Sequence, residues 1–185
     1  MELPEGPFDV IYADPPWAYR KTPLVNRGSA RAVEKEYGTM QPSEIAELPI
    51  GRLANKNAIL LMWVTSPKLA IGLDVMRAWG FNYKTMAFCW VKHTKHGKLH
   101  WGQGFYTRSN VEVCLLGTKG KGIPRQSASV HQVVEDAIME HSKKPETVRQ
   151  RIDQLYPHAS KLEIFARTRA DGWSSWGNQV PSEVK

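Results

Sequence analysis

Sulfur chemistry is nearly absent from this sequence, whose 185 residues include only two cysteines, Cys89 and Cys114. Both lie in apolar runs, so they read as small core residues in reducing surroundings. That excludes a disulfide framework, a thiolate zinc site and a redox role. Long hydrophobic runs are missing as well. No uninterrupted apolar stretch nears the ~18 residues needed to span a bilayer, and Met1-Glu2-Leu3-Pro4-Glu5-Gly6 lacks the basic-then-apolar pattern of a signal peptide. A soluble, cytoplasmic protein with no membrane partner is therefore expected.

A Gly-rich phosphate cradle is also lacking. The only Gly-x-Gly triplets are Gly102-Gln103-Gly104 and Gly120-Lys121-Gly122, both in loop-like segments, which excludes a P-loop or a conventional dinucleotide fingerprint. Acidic residues are in deficit, with 18 Asp and Glu against 25 Lys and Arg and a net charge of +7. Arg20, Lys21, Arg27, Arg31, Lys92, Lys95, Lys98, Lys119, Lys121 and Arg125 fall mostly in loop-like segments. This distribution favours an anionic partner, with nucleic acid the leading candidate.

The length fits a single domain, residues 1–185. Phe8 to Ala13 reads as a short buried strand and Ala58 to Val64 as another. Helix patterns follow at Pro42 to Leu48 and Pro67 to Trp79, then β-rich runs at Tyr83 to Val91 and Val111 to Leu116, the latter closed by Gly117-Thr118-Lys119-Gly120-Lys121-Gly122. Val130 to Val134 suggests an edge strand. A helix opened by Pro145 runs through Val148, Ile152 and Leu155, Leu162 to Ala166 is the last core strand, and an irregular tail begins at Arg167. Alternating strands and helices predict a three-layer α/β sandwich with a mostly parallel central sheet and one or two antiparallel strands. The basic segments 19–36 and 92–109 read as substrate-binding loops.

At the end of the first strand stands Asp14-Pro15-Pro16-Trp17. Open α/β sheets bind ligands beyond the carboxyl ends of their strands, so this acidic side chain marks a candidate active site. Proline fixes φ and lacks an N–H, which leaves stiff carbonyl acceptors beside the carboxylate, while Trp17 supplies a flat ring for stacking. Such a box suits an exocyclic amino group on a nucleobase. A simpler reading of Pro-Pro as chain punctuation and of the Asp as a turn former competes with it.

Further along come Tyr37-Gly38-Thr39-Met40, Leu61-Met62-Trp63-Val64-Thr65, Trp90-Val91-Lys92, Ser142-Lys143-Lys144-Pro145-Glu146, Leu162-Glu163-Ile164-Phe165-Ala166-Arg167 and Trp176-Gly177-Asn178-Gln179. With the tetrapeptide, and in that order, these motifs closely resemble the MT-A70 family of S-adenosylmethionine-dependent adenine-N6 methyltransferases, from about Phe8 to Gln179. The resemblance implies a Rossmann-like class I methyltransferase fold in permuted motif order. It also implies catalysis at Asp14, Pro15, Pro16 and Trp17, and cofactor contacts from Asp14, Lys144, Glu163, Arg167, Asn178 and Gln179. Trp17, Tyr19, Tyr37 and Arg108 would hold the target base or its strand. S-adenosylhomocysteine would be the product, and no metal would be required.

On that reading Asp14 accepts one N6 hydrogen and the Pro15 carbonyl the other, stabilising charge that builds on nitrogen during methyl transfer. Lys144 would pair with the methionine carboxylate and Glu163 with ribose hydroxyls. Family members commonly carry an upstream Asp-containing segment at the cofactor's adenine pocket; here a neighbouring loop substitutes for it, a partner contributes, or the adenine lies more exposed. DNA is favoured over RNA as substrate, with the base flipped out of a duplex, and the size is compatible with a homodimer. Cytosine-N4 methylation and a non-catalytic nucleic-acid-binding subunit are the competing classes. His93, His96 and His100 have a metal-like spacing, but their Lys-rich loop lacks carboxylate or thiolate partners and suits phosphate contact better.

Overall fold

The computed structural model describes residues 2–18, 38–102, 104, 106–139 and 143–180. The strands are β1 (Phe8–Ala13), β2 (Ala54–Val64), β3 (Asn82–His93), β4 (Val111–Lys119), β5 (Val133–Ala137), β6 (Lys161–Ile164) and β7 (Ser174–Trp176). The α-helices among the described residues are α1 (Pro42–Glu47), α2 (Leu69–Ala78) and α3 (Glu146–Leu155). All seven strands join one sheet in the order β5-β3-β4-β2-β1-β6-β7. Only β4 runs against its neighbours β2 and β3; the remaining pairs are parallel.

Strand β2 shows why the sheet sits between two layers of helices. Ile59, Leu61 and Trp63 pack into one apolar cluster with Val148 and Ile152 of α3, whereas Leu60, Met62 and Val64 pack into another with Ile45 of α1 and Val75 and Met76 of α2. Successive side chains point to opposite faces, so a run that is apolar at every position must be covered on both sides. Close approach of α2 depends on Gly72, where a Cβ would lie 2.5 Å from Val64 Cγ1. This arrangement bears out the expected three-layer, mostly parallel α/β architecture.

Several local expectations need correction. Gly117, Thr118 and Lys119 do not close β4 but continue it, paired with β2 and β3. A glycine is tolerated within that strand because Met76 of α2 fills the space, 2.6 Å from where a Cβ would stand. Lys119 is not a loop cation: its Nζ donates to the carbonyls of Gly51 at 2.7 Å and Ala54 at 3.0 Å. The edge strand begins at Val133, Lys92 and His93 belong to β3, and Pro145 caps α3 instead of entering its first turn. After Arg167 the chain is not wholly irregular, since Ser174–Trp176 adds β7 beside β6. Three residues carry too little periodicity to announce a strand.

Candidate active site

Strands β1 and β6 are parallel neighbours with Ala13 opposite Ile164, so Asp14 and Phe165 leave the sheet side by side. Helix α3 lies on one face here and α1 and α2 on the other, the geometry of a topological switch point, where α/β sheets open a crevice. The cleft is lined by Tyr12, Asp14, Lys143, Lys144, Pro145, Glu146, Arg149, Glu163, Phe165, Arg167 and Thr168. Sequence reasoning singled out Asp14, Lys144, Glu163 and Arg167, and the fold brings all four together.

Charge in the cleft is organised as a chain of alternating sign. Lys144 Nζ lies 2.8 Å from Asp14 Oδ1 and 3.2 Å from Glu112 Oε2, and Lys92 Nζ lies 2.5 Å from Glu112 Oε1. Burial by itself would push Glu112 up, but the ammonium groups of Lys144 and Lys92 outweigh it and hold the carboxyl below its ordinary value. Lys144 also loses hydration, yet Asp14 and Glu112 raise it and keep it charged. Its ammonium stands 5.6 Å above the Trp63 ring, a cation–π contact on the remaining side. Glu112 was missed from sequence, and Lys92 was read there only as a loop cation and part of a family motif. The one available signal was an acidic residue inside an apolar β run.

The tetrapeptide is braced from within. Trp17 N–H donates to the Pro15 carbonyl at 2.9 Å, and Met40 N–H donates to the Pro16 carbonyl at 2.9 Å. The first bond uses one lone pair of the Pro15 carbonyl and holds the acceptor stiffly beside Asp14. Trp17 departs from expectation: its ring is 6% exposed, packed in the core, with Nε1 donating to the Trp63 carbonyl at 3.2 Å. It anchors the turn and does not offer an open stacking face. Tyr19 and Tyr37, with the whole 19–36 segment, lie outside the described residues.

On the opposite wall, Glu163 Oε2 accepts from Arg149 Nη2 at 2.8 Å, and Arg149 also contacts Glu146. Burial raises Glu163 above its usual carboxylate value, with Arg149 only partly offsetting it. Among the described residues Arg149 Nε and Ser175 Oγ are buried without a hydrogen-bond partner, and Ser175 stands opposite Glu163 in the β6–β7 register. An acceptor-rich carboxylate beside orphaned donors fits a ligand that brings hydroxyl groups. Ribose has that chemistry.

Phe165 holds φ at 60°, a left-handed conformation that is costly for an aromatic residue. Its ring meets Trp176 edge-on at 5.8 Å. Gly177 then passes so close that a Cβ would fall 2.2 Å from the Ala166 carbonyl oxygen, so only glycine brings Asn178 and Gln179 to this end of the sheet. Both are exposed there and do not line the cleft. Arg108 stands apart too, its guanidinium donating to the carbonyls of Gly102 at 2.9 Å and Trp101 at 3.1 Å. Among the described residues no cluster of three metal-ligating side chains occurs, and no helix is long and apolar enough to cross a membrane.

The MT-A70 family pattern matches residues 8–179. The chain belongs to the MT-A70 family. Similar proteins include the Type II methyltransferase M.MunI of a Mycoplasma species, 32% identical over 97% of this chain and 81% of that protein. A probable N(6)-adenosine-methyltransferase MT-A70-like protein of Oryza sativa subsp. japonica is 29% identical over 95% of this chain and 23% of its own length. The N(6)-adenine-specific methyltransferase METTL4 of Homo sapiens is 28% identical over 94% of this chain and 37% of itself. The chain thus spans less than half of the rice and human relatives. The MT-A70 assignment makes the sheet a Rossmann-like methyltransferase fold and implies S-adenosylmethionine as methyl donor.

Proposed function

We propose that this chain transfers the methyl group of S-adenosylmethionine to N6 of adenine in nucleic acid, with DNA as the polymer, from a single domain spanning residues 1–185. One observation carries the reading: Asp14 opens onto a cleft whose other walls are the ammonium of Lys144 and the carboxylate of Glu163. S-adenosylmethionine supplies there an electrophilic methyl on a cationic sulfur. Its groups match the chain's own: Lys144 and Arg167 suit a methionine carboxylate, and Glu163 suits ribose hydroxyls.

The adenine amine is a poor nucleophile because its lone pair is delocalised into the ring. Asp14 and the Pro15 carbonyl accept its two hydrogens and so orient the lone pair. They also stabilise the positive charge that builds on nitrogen. Asp14 need not be a strong base, since the N6 proton becomes acidic only after attack and leaves later to the carboxylate or water. Trp17, locked beneath, keeps this pair of acceptors rigid.

The DNA assignment rests on likeness to the Mycoplasma relative. The Mycoplasma relative, a Type II methyltransferase, is matched along most of its length. The rice relative, named for adenosine, extends far beyond the matched region. Purified protein incubated with labelled S-adenosylmethionine and either DNA or RNA, then digested to nucleosides for mass spectrometry, reports base, position and polymer together. N6-methyldeoxyadenosine is expected. Labelled N4-methylcytosine, or label in RNA alone, would replace this reading. Asp14→Ala should lower turnover about 10²–10³-fold, the scale of losing one preorganised transition-state contact, with cofactor affinity nearly retained.

A further inference from the structure

The hairpin joining β3 to β4 rises from the same end of the sheet as Asp14. Its base is tied to the cleft through Lys92, Glu112 and Lys144. From Lys92 to Val111 it contains no acidic residue. Two aromatic side chains stand out in this basic setting: Trp101 is 53% exposed and Tyr106 fully so. Exposed rings of this size are normally buried in a core or against a partner.

The described part of the hairpin is clamped. Gly102 N–H donates to the Ser109 carbonyl at 2.7 Å, and Asn110 Nδ2 donates to the carbonyls of Lys92, at 3.0 Å, and His100. Arg108 spends two donors on the carbonyls of Trp101 and Gly102. These bonds brace the loop at Trp101 and leave further guanidinium donors at an exposed position, where the phosphate or base grip expected from sequence stands as a proposal. Two exposed rings on a hairpin that also carries Lys95, His96 and Lys98 offer a sequence-tolerant stacking surface together with phosphate attraction, the combination that binds unstacked nucleotides.

We propose that Trp101 and Tyr106 form a stacking platform for unpaired bases next to the target adenine. The platform grips single-stranded or locally opened DNA while the cleft holds the flipped base. This deepens, and rests on, the adenine-N6 methyltransferase reading. Both rings are far enough out in solvent that their removal leaves the core untouched.

Anisotropy of a fluorescein-labelled single-stranded dA12 oligonucleotide, measured across a salt series without methyl donor, tests the platform. W101A and Y106A should each weaken binding about tenfold, the scale of one lost base-stacking contact, with the salt slope unchanged and largely restored by W101F and Y106F. The double variant K95A/K98A should instead flatten the salt slope. Unchanged affinity in both alanine variants would overturn the proposal. So would sedimentation showing that they dissociate a dimer while DNA binding stays intact, which would assign the rings to a second copy of the chain. Because this readout needs no turnover, loss of binding in the variants without any methylated adenine from the wild type would sink the enzymatic reading and leave the rings as a single-strand binding site with no target adenine beside it.

Discussion

Lys144 Nζ contacts both oxygens of the Asp14 carboxylate, at 2.8 Å and 2.9 Å, across 130 residues of sequence. In this arrangement the carboxylate that would receive the adenine amine is held by an ammonium whose second carboxylate partner is Glu112. Lys144 can therefore turn toward a ligand carboxylate without becoming an unpaired buried charge, which releases Asp14 for the base. On the proposed function, cofactor and adenine binding would be coupled through this one side chain.

Lys144→Met should damage both binding and stability. It strips Glu112 and Asp14 of a common partner in a site where Lys144 is only 10% exposed. Breaking a buried pair by removing one member costs about 3–5 kcal/mol. Denaturant unfolding should show that loss, and calorimetry should show weakened S-adenosylhomocysteine binding. Lys144→Arg, which keeps charge but changes reach, should recover most of the stability and little of the affinity.

Glu112→Gln tests the middle of the charge chain. The folded protein holds this carboxyl below its ordinary value. Its contribution is therefore fully present above the unfolded value of roughly 4.5 and is lost as pH falls through the lower folded value. Unfolding midpoints taken between pH 3 and 7 should show the wild type more stable than the variant at neutrality, with the two curves converging in acid. A constant gap across that range would contradict the pairing.

Glu163 should behave in the opposite sense. Burial raises its carboxyl, so the stability linked to its neutral form is present below the unfolded value and lost as pH rises through the folded one. At pH 7 the charge is a cost. Glu163→Gln should leave the melting temperature equal or higher, because Arg149 still has Glu146. Binding of S-adenosylhomocysteine should fall about tenfold or more, the scale of losing a hydrogen bond to a charged group.

Gly72→Val probes how the cleft is supported from behind. Any Cβ there collides with Val64, so α2 must lift from β2, with an expected loss of about 1–3 kcal/mol from overpacking. Thermal melts report it. Cofactor affinity should change little, because α2 covers the face away from α3.

Much of this protein was decided by sequence alone. The apolar run at Phe8 to Ala13 and its stop at Asp14 fixed β1 with its observed ends. The unbroken apolar stretch through Leu60 and Leu61 required a central strand buried on both faces. Spacing of motifs carried the family. Tertiary structure decided the rest, because the deciding forces are not local. Glu112, Lys92 and Arg149 acquire roles only when strand register and helix docking bring them to partners far along the chain. Trp17 turns from a stacking face into a buried brace because the Trp63 carbonyl lies within reach of its indole. Three-residue β7 forms because β6 offers an edge to pair with. Ion pairing and desolvation depend on distance and burial, quantities that neighbours in sequence do not encode.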